Sequence, residues 1–581
     1  MPGSRAPGRP QAVRGSAGLP ISGLGKDAAM RRKRTTGGLT VNAVAGTHVV
    51  LLGLDLAEAQ RRGCLGFANQ REDHTEHERY WLSGTKTFKE TDPGLGPGGR
   101  VSSRKHPFQS FQWADYSAKP EHDYTYTVIP LYGKPAKLEE GTGVGVRVTT
   151  ETELGTPHSV FFNRGAVASQ EYARRFQNAD PDEAGEAAFR WLSRGLLEGF
   201  VAFVGRANGG AFGLYGAVYE FQWPAALKAV KDAAATGARV RVVYDGIPGG
   251  SGPRKRNEAA VARAKVMGLC TPRTTGKIMH NKFFVLTRND TPIAVWTGST
   301  NLTENGIFGH SNCGHIIEDR AVASAYLDYW NELKDSPARD AETTWVAQNN
   351  PNPPEAWAED LTEVFSPRKG LTVLEWYATI AGSAKKALFM TFAFGMHKSF
   401  QRVYAQNDGV LRFALMEKEG NGAGLEQGKK DIRRIRALPN VVVAVGNNIV
   451  MNSFDRWLKE KRQLTAEANV RYIHTKTMLV DPLGPAPGVV TGSANFSEAS
   501  TNANNENMVL VRSDRRVADI YVGEFMRLHS HYAFREAVAI ARARGDTAWQ
   551  PQYLAPTDVW QADSFKAGHA RFLRRRYFAG L

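Results

Sequence analysis

The sequence predicts an α/β protein in which two pseudo-symmetric lobes share one active site and a β-sandwich precedes them. Three observations predict this. The template His-x-Lys-x14-Thr-Gly-Ser-x-Asn occurs twice, at His280 to Asn301 and at His474 to Asn495, 194 residues apart. Alternating strand-like and helix-like runs surround both copies, whereas the chain ahead of them is β-rich.

Residues 1–39 read as a disordered basic tail, because Gly, Pro and Arg dominate and residues 1–36 hold eight basic side chains against one acidic. Residues 40–152 read as an immunoglobulin-like sandwich. The runs Thr47–Leu52, Arg79–Leu82 and Tyr124–Ile129 are separated by Gly, Pro and Asp turns. The stretch Lys119–Val128 resembles the tyrosine-corner segment of fibronectin type III domains. Gly141, Gly143 and Gly145 alternate like a nucleotide loop but precede a strand-like run instead of opening a helix, so they are set aside.

Residues 153–345 are the first predicted lobe. Gly216–Phe221 reads as a strand, Pro224 suits the first turn of a helix running to Gly237, and Arg239–Asp245 is the next strand. Asn349–Pro354 marks a linker, assigned to 346–371. Residues 372–545 repeat the pattern, with a helix near Val373–Ile380 and strands at Ala387–Phe392 and Val410–Leu415. Amphipathic helices at Val322–Leu333 and Val517–Ala541 are expected to close the two lobes. The segment 546–581 interleaves Phe565, Phe572, Leu573, Tyr577 and Phe578 with Arg571, Arg574, Arg575 and Arg576, which suits an interfacial strip or a segment docked on the body.

The repeat carries the chemistry. At average residue usage the template arises by chance on the order of 10⁻⁸ times per starting position. Each His-x-Lys opens an apolar, strand-like run, so His280 and Lys282 share one face, as do His474 and Lys476. The Gly298-Ser299 and Gly492-Ser493 turns are expected to bind substrate oxygens with backbone amides and hydroxyls, beside the carboxamides of Asn301 and Asn495. Two such halves would set two imidazoles across one anion. Histidine titrates near neutral pH, so one ring can attack phosphorus while the other donates a proton to the departing oxygen. Two lysines and two asparagines would stabilise the equatorial oxygens with no metal and no cofactor.

His-x-Lys-x4-Asp followed by Gly-Ser-x-Asn, used twice, resembles the phospholipase D superfamily and its HKD motif. The likeness runs from about position 155 to 545. It implies a phosphohistidine intermediate, with His280 as nucleophile and His474 as general acid and then base. The second copy has the motif's aspartate, Asp481, but the first has Thr287 there. That aspartate is read as supporting the local fold more than reacting, although Asp481 is kept among the candidate catalytic residues. Asn505-Glu506-Asn507 resembles the family's segment with a glutamate that orients a catalytic histidine. Its first-lobe counterpart, Ser311-Asn312-Cys313, has no acid. Spacing from the template pairs Asn312 with Glu506, and alignment of the following helices pairs Asn312 with Asn507; both registers stand.

Other histidines, His310, His315, His397, His529 and His531, are read as structural. No His/Cys cluster has metal-ligand spacing, and His529 and His531 diverge on a helical pattern. Arg254-Lys255-Arg256 and Lys429, Lys430, Arg433 and Arg434 fall on predicted loops past strand ends, where they read as substrate contacts or solvated loops. No apolar run reaches the length of a membrane span. Three cysteines do not make a disulfide framework, so a cytoplasmic location is the default expectation, with secretion left open.

The net charge of +16 is concentrated at the ends: residues 1–36 carry +7 and residues 562–581 carry +4. The basic ends suit an anionic membrane surface or nucleic acid. The leading expectation is a monomeric phosphodiesterase that hydrolyses or transfers the phosphodiester of a phospholipid. A metal-independent nuclease on DNA or RNA is the second, and a catalytically degenerate binding protein the third.

Overall fold

The computed structural model describes residues 30–95, 99–165, 169–177, 179–249, 252–354, 357, 359–420, 424–446, 473–543, 550 and 552–581. The N-terminal region is a sandwich of two antiparallel sheets. One has the order β1-β2-β3-β8, with β1 Arg31–Thr36, β2 Leu39–Ala45, β3 Val50–Leu56 and β8 Gln112–Asp115. The other runs β10-β9-β4-β5, with β4 Gly66–Asp73, β5 Glu78–Trp81, β9 Asp123–Lys134 and β10 Lys137–Glu140, and β11 Val144–Thr149 also pairs with β9. A short ribbon joins β6 Ser83–Gly84 to β7 Val101–Ser102. Alternation fills the space between the sheets: Tyr124, Tyr126 and Val128 point inward from β9 against Val41, Leu52 and Leu54.

Two seven-stranded sheets follow. The first has the order β12-β18-β17-β16-β13-β14-β15, with β12 His158–Phe162, β13 Phe212–Val218, β14 Arg239–Asp245, β15 Cys270–Arg273, β16 Lys282–Arg288, β17 Thr291–Gly298 and β18 Cys313–Ile317. The second has the order β19-β25-β24-β23-β20-β21-β22, with β19 Leu361–Ser366, β20 Ala387–Phe392, β21 Leu411–Met416, β22 Val441–Val445, β23 Thr477–Val480, β24 Gly488–Gly492 and β25 Glu506–Arg512. Both sheets run the same connections in the same senses, parallel for the β13-β14-β15 and β20-β21-β22 edges and antiparallel elsewhere. Near-continuous apolar strands such as Ala387–Phe392 follow from burial on both faces.

The helices Arg320–Lys334 and Arg515–Ala543 lie in one apolar core common to both sheets, where Phe283 and Tyr326 meet Phe365, Phe389, Tyr521 and Phe525. Tyr329 stacks on Phe365 of the second sheet at 4.4 Å between ring centres. The sandwich is fastened to this body by charge: Arg31 pairs with Asp519, and Arg516 pairs with Glu151 and donates to the carbonyls of His158 and Thr152.

Several expected boundaries move. Residues 31–36, expected in the tail, form edge strand β1, and residues 1–29 lie outside the described residues. The 346–371 linker contains β19, which completes the second sheet by pairing with β25. The strand expected at Gly216–Phe221 is β13, Phe212–Val218, because the chain leaves the sheet after Val218 to build the site. The basic clusters lie on the helices Arg254–Ala264 and Leu425–Arg436, not on loops, with Arg254 paired to Glu258 and Lys429 to Glu426.

The end of the chain docks on the body. In the helix Ala570–Phe578, Arg575 is buried against Asp55, the carbonyl of Phe578 accepts from Asn42, and the Tyr577 hydroxyl accepts from the amide of Leu483. Gly53 on β3 allows this approach, since a Cβ there would stand 1.9 Å from the Phe578 carbonyl oxygen. No helix among the described residues is long and apolar enough to cross a membrane.

Candidate active site

The two template copies meet. The rings of His280, entering β16, and His474, ahead of β23, lie 6.4 Å apart between centres and at 72°. The chain brings them together by stitching each lobe to the other. The amide of His280 donates to the carbonyl of Asn505, and the amide of His474 donates to the hydroxyl of Ser311. Met279 bridges to Asn505 and Ser311 to Ile473, so each histidine is anchored by the opposite lobe.

Each Nδ1 is held across the same boundary. Nδ1 of His280 is 2.8 Å from Oε2 of Glu506, and Nδ1 of His474 is 2.8 Å from Oδ1 of Asn312. An ionised carboxylate only accepts, so Nδ1 of His280 carries the proton. Asn312 donates through Nδ2 to the Gly306 carbonyl, which leaves its Oδ1 to accept from His474. Both rings therefore keep Nε2 for chemistry. Asn312 and Glu506 occupy equivalent positions, as spacing from the template requires; the helix-based register, pairing Asn312 with Asn507, is wrong by one residue.

The serines have another task than expected. Ser299 donates its hydroxyl to Asn312 at 2.8 Å, and Ser493 donates to Glu506 at 2.7 Å. Their amides donate to the carbonyls of Cys313 and Asn507. Both side chains are fully buried and orient the groups that hold the histidines, so the expected oxygen-binding role of Gly298-Ser299 and Gly492-Ser493 is corrected. The glycines are required by close strand approach: a Cβ would stand 2.4 Å from the Cys313 carbonyl at Gly298, and 2.2 Å from the Asn507 carbonyl at Gly492.

Lys282 and Lys476 are buried beside the rings, and each donates to the carbonyl of its own histidine, His280 or His474, at 2.5 Å. Burial pushes the Lys282 ammonium down to about 8 and that of Lys476 well below its ordinary value. Asn301 donates to Glu220 at 2.5 Å. Its Oδ1, like that of Asn495, is buried with no partner among the described residues. Burial lowers His280 to about 4 against the pull of Glu506, and lowers His474 well below the ordinary imidazole value, with Lys476 and His310 adding to the effect.

Asp481 is not in this cluster. It stands at the far end of β23 from His474, where its carboxylate accepts the backbone amides of Lys385, Lys386 and Ala387 at 2.7–2.8 Å. Its expected catalytic place is corrected to a clamp on the start of β20. Thr287, its first-lobe counterpart, is buried, and its hydroxyl has no partner among the described residues.

Four residues near the rings were not taken as site residues from the sequence. Tyr219 packs against His280 at 5.0 Å between ring centres, and its ring lies 5.4 Å from the Lys282 ammonium. Glu220 holds Asn301 and lies 3.5 Å from Arg256. Asp245 accepts the Met279 amide at 2.8 Å, fixing the approach to His280. His310, read from sequence as structural, lies 5.6 Å from His474 between ring centres. Tyr219, Glu220 and Asp245 follow or end central strands, and that position beyond strand ends was the available signal. Among the described residues, Asp73, Glu76 and His122 bring three metal-capable atoms together, in the sandwich; there Glu76 is already paired with Lys119.

Residues 213–334 and 434–529 match a family model described as cardiolipin synthase, PLD-like domain, and each matched stretch contains one copy of the template. No curated protein matches the chain in sequence. Among solved structures, a polyphosphate kinase from Porphyromonas gingivalis is similar over 58% of this chain and 48% of its own, with 12% identity and a TM-score of 0.36. This chain therefore spans about half of that kinase's length. A phosphatidylserine synthase from Haemophilus influenzae Rd KW20 is similar over 61% of this chain and 93% of its own, at 13% identity and a TM-score of 0.41. Nuc, a phospholipase D family member from Salmonella typhimurium, is similar over 29% of this chain and 94% of its own, at 17% identity and a TM-score of 0.22.

Proposed function

We propose that this chain is a phospholipase D-type phosphodiesterase that cleaves or transfers the phosphodiester of a phospholipid through a phosphohistidine on His280. The observation that carries the reading is the pair of imidazoles 6.4 Å apart, each tied back through Nδ1 and each with Nε2 available. In this reading the two sheets are pseudo-symmetric lobes around one site. Nε2 of His280 attacks phosphorus as Nε2–H of His474 gives its proton to the departing oxygen. Water or an alcohol then attacks phosphorus, its proton passes to His474, and the P–N bond breaks.

The roles follow from the partners. Glu506 behind His280 favours the positive ring that forms when nitrogen bonds phosphorus, and neutral Asn312 leaves His474 the stronger acid. A bound phosphodiester anion favours the charged forms of Lys282 and Lys476, which then supply positive charge for the equatorial oxygens without a metal. The N-terminal sandwich is read as fibronectin type III-like, supported by the Tyr124 hydroxyl, which accepts the Lys119 amide five residues upstream at 3.0 Å.

The net charge of +16 favours a second reading, a nuclease. One assay in excess chelator tests both: purified protein is given phosphatidylcholine, phosphatidylethanolamine and phosphatidylglycerol vesicles, bis(p-nitrophenyl) phosphate, plasmid and RNA. Head-group release from a vesicle supports the lipid reading, and cleavage of nucleic acid alone replaces it with the nuclease. If no diester is cleaved, and His280→Ala and His474→Ala leave every other measured function unchanged, the site is degenerate.

A further inference from the structure

His310 has no counterpart in the other half of the site. Counting nine residues beyond the template asparagine gives His310 after Asn301 and Asn504 after Asn495, and Asn504 cannot titrate. The additional imidazole thus sits only on the His474 side, 5.6 Å between ring centres and tilted by 38°. The backbone that places it is the one that fixes His474: Ser311 accepts the His474 amide, and Asn312 accepts its Nδ1. The carbonyl of His310 is held by Nδ2 of Asn163 at 2.6 Å.

The two rings differ in surroundings. His474 is buried, with 7% of its surface exposed, whereas His310 is half-buried. Around them stand Lys476 just ahead of β23, His280 and Lys282 from the first lobe, and Glu506 behind His280. Three of these groups, the two lysines and His280, are cationic or become so, and they oppose protonation of the buried His474 ring in the resting enzyme. An acid that must begin each cycle protonated, yet sits where protons are disfavoured, needs a nearby donor with better access to water.

We propose that His310 is that donor, a positioning residue that delivers the proton His474 spends on the leaving group. The proposal rests on the phosphodiesterase reading. The proton leaves the His310 imidazolium and reaches Nε2 of His474, directly or through an intervening oxygen of substrate or water. The N–H bond on His474 then breaks as the O–H bond of the departing alcohol forms, and in the second step the proton that His474 takes from the attacking water or alcohol is handed back to His310, which ends the cycle protonated. No electron transfer and no further reactant is involved.

The test compares wild type with His310→Asn, which installs the residue of the other half, and with His310→Ala. Two diesters are used in chelator: bis(p-nitrophenyl) phosphate, whose phenolate leaves with little acid help, and a dialkyl phosphodiester, which depends on it. General acid catalysis is worth about 10²- to 10⁴-fold, so the dialkyl substrate should lose at least about tenfold more kcat/KM than the nitrophenyl one. The alkaline limb of the pH profile should move to lower pH, and added imidazole should restore part of the His310→Ala rate on the dialkyl substrate. Equal losses on both diesters, or an alkaline limb that moves to higher pH because only repulsion was removed, would overturn the proposal. Failure of wild type on every diester would refute the phosphodiesterase reading instead.

Discussion

Glu506 belongs to the second lobe, yet its carboxylate orients His280 of the first, 2.8 Å from Nδ1; Asn312 returns the same favour to His474 with a neutral carboxamide. The two halves of the site are alike in geometry and unlike in charge. In the proposed reaction that difference gives each imidazole its own role.

Replacement of Glu506 by Gln keeps the shape and removes the charge. The P–N bond-forming step should slow by about 10²- to 10⁴-fold, between the loss of an outer-shell partner and that of a triad aspartate. Single-turnover kinetics measure it. A Glu506→Gln enzyme that forms the intermediate at the wild-type rate would remove the carboxylate from the mechanism.

The histidines should act as one unit. His280→Ala and His474→Ala should each abolish measurable turnover of a dialkyl diester, and the double variant should be no worse than either alone, because groups in one reaction coordinate are not additive. Additive losses measured by kcat/KM would place the rings in separate functions.

Stability should fall in acid. The folded His280 ring takes a proton only near pH 4, whereas in the unfolded chain it does so near 6.5. Between those values the unfolded state binds more protons, so the stabilisation present above about 6.5 is lost as pH falls toward about 4, by roughly 3 kcal/mol from this ring alone. His474 shifts the same way. Tm measured from pH 7 to 4 should drop steeply, and less so in His280→Asn; an equal drop in the variant would contradict the linkage.

Asp481→Asn should damage the fold more than the chemistry. It weakens three charge-assisted hydrogen bonds to the amides that open β20, at a cost of about 1–3 kcal/mol. Denaturant midpoints should fall while kcat of the folded fraction stays within about twofold. Thr287 stands at the equivalent place, near the far end of β16 from His280, so its lack of a carboxylate does not alter the cluster around the rings.

Much of this was legible in the sequence because repetition is visible without coordinates. His280, Lys282, His474 and Lys476 meet as their spacing suggested, and the two lobes' strand patterns recur in the two sheets. What stayed hidden depends on long-range pairing. Ser299 and Ser493 face the wrong way for a substrate because β17 meets β18 and β24 meets β25, which commits their amides and hydroxyls. Edge strand β1 looked like a tail because five of its six residues are exposed, and only its pairing with β2 and the Arg31–Asp519 contact reveal it. His310 looked like any lone histidine until the loop beyond β17 carried it to the opposite lobe's ring.

The central claim is that one phosphorus passes between these two rings, and trapping the covalent intermediate tests it most directly. Rapid acid-free quench of His474→Asn with bis(p-nitrophenyl) phosphate labelled at phosphorus, whose leaving group needs little acid help, followed by peptide mapping, should find base-stable, acid-labile label on the peptide containing residue 280. Sustained turnover by wild type with no label on that peptide, or label on another residue, would contradict the account.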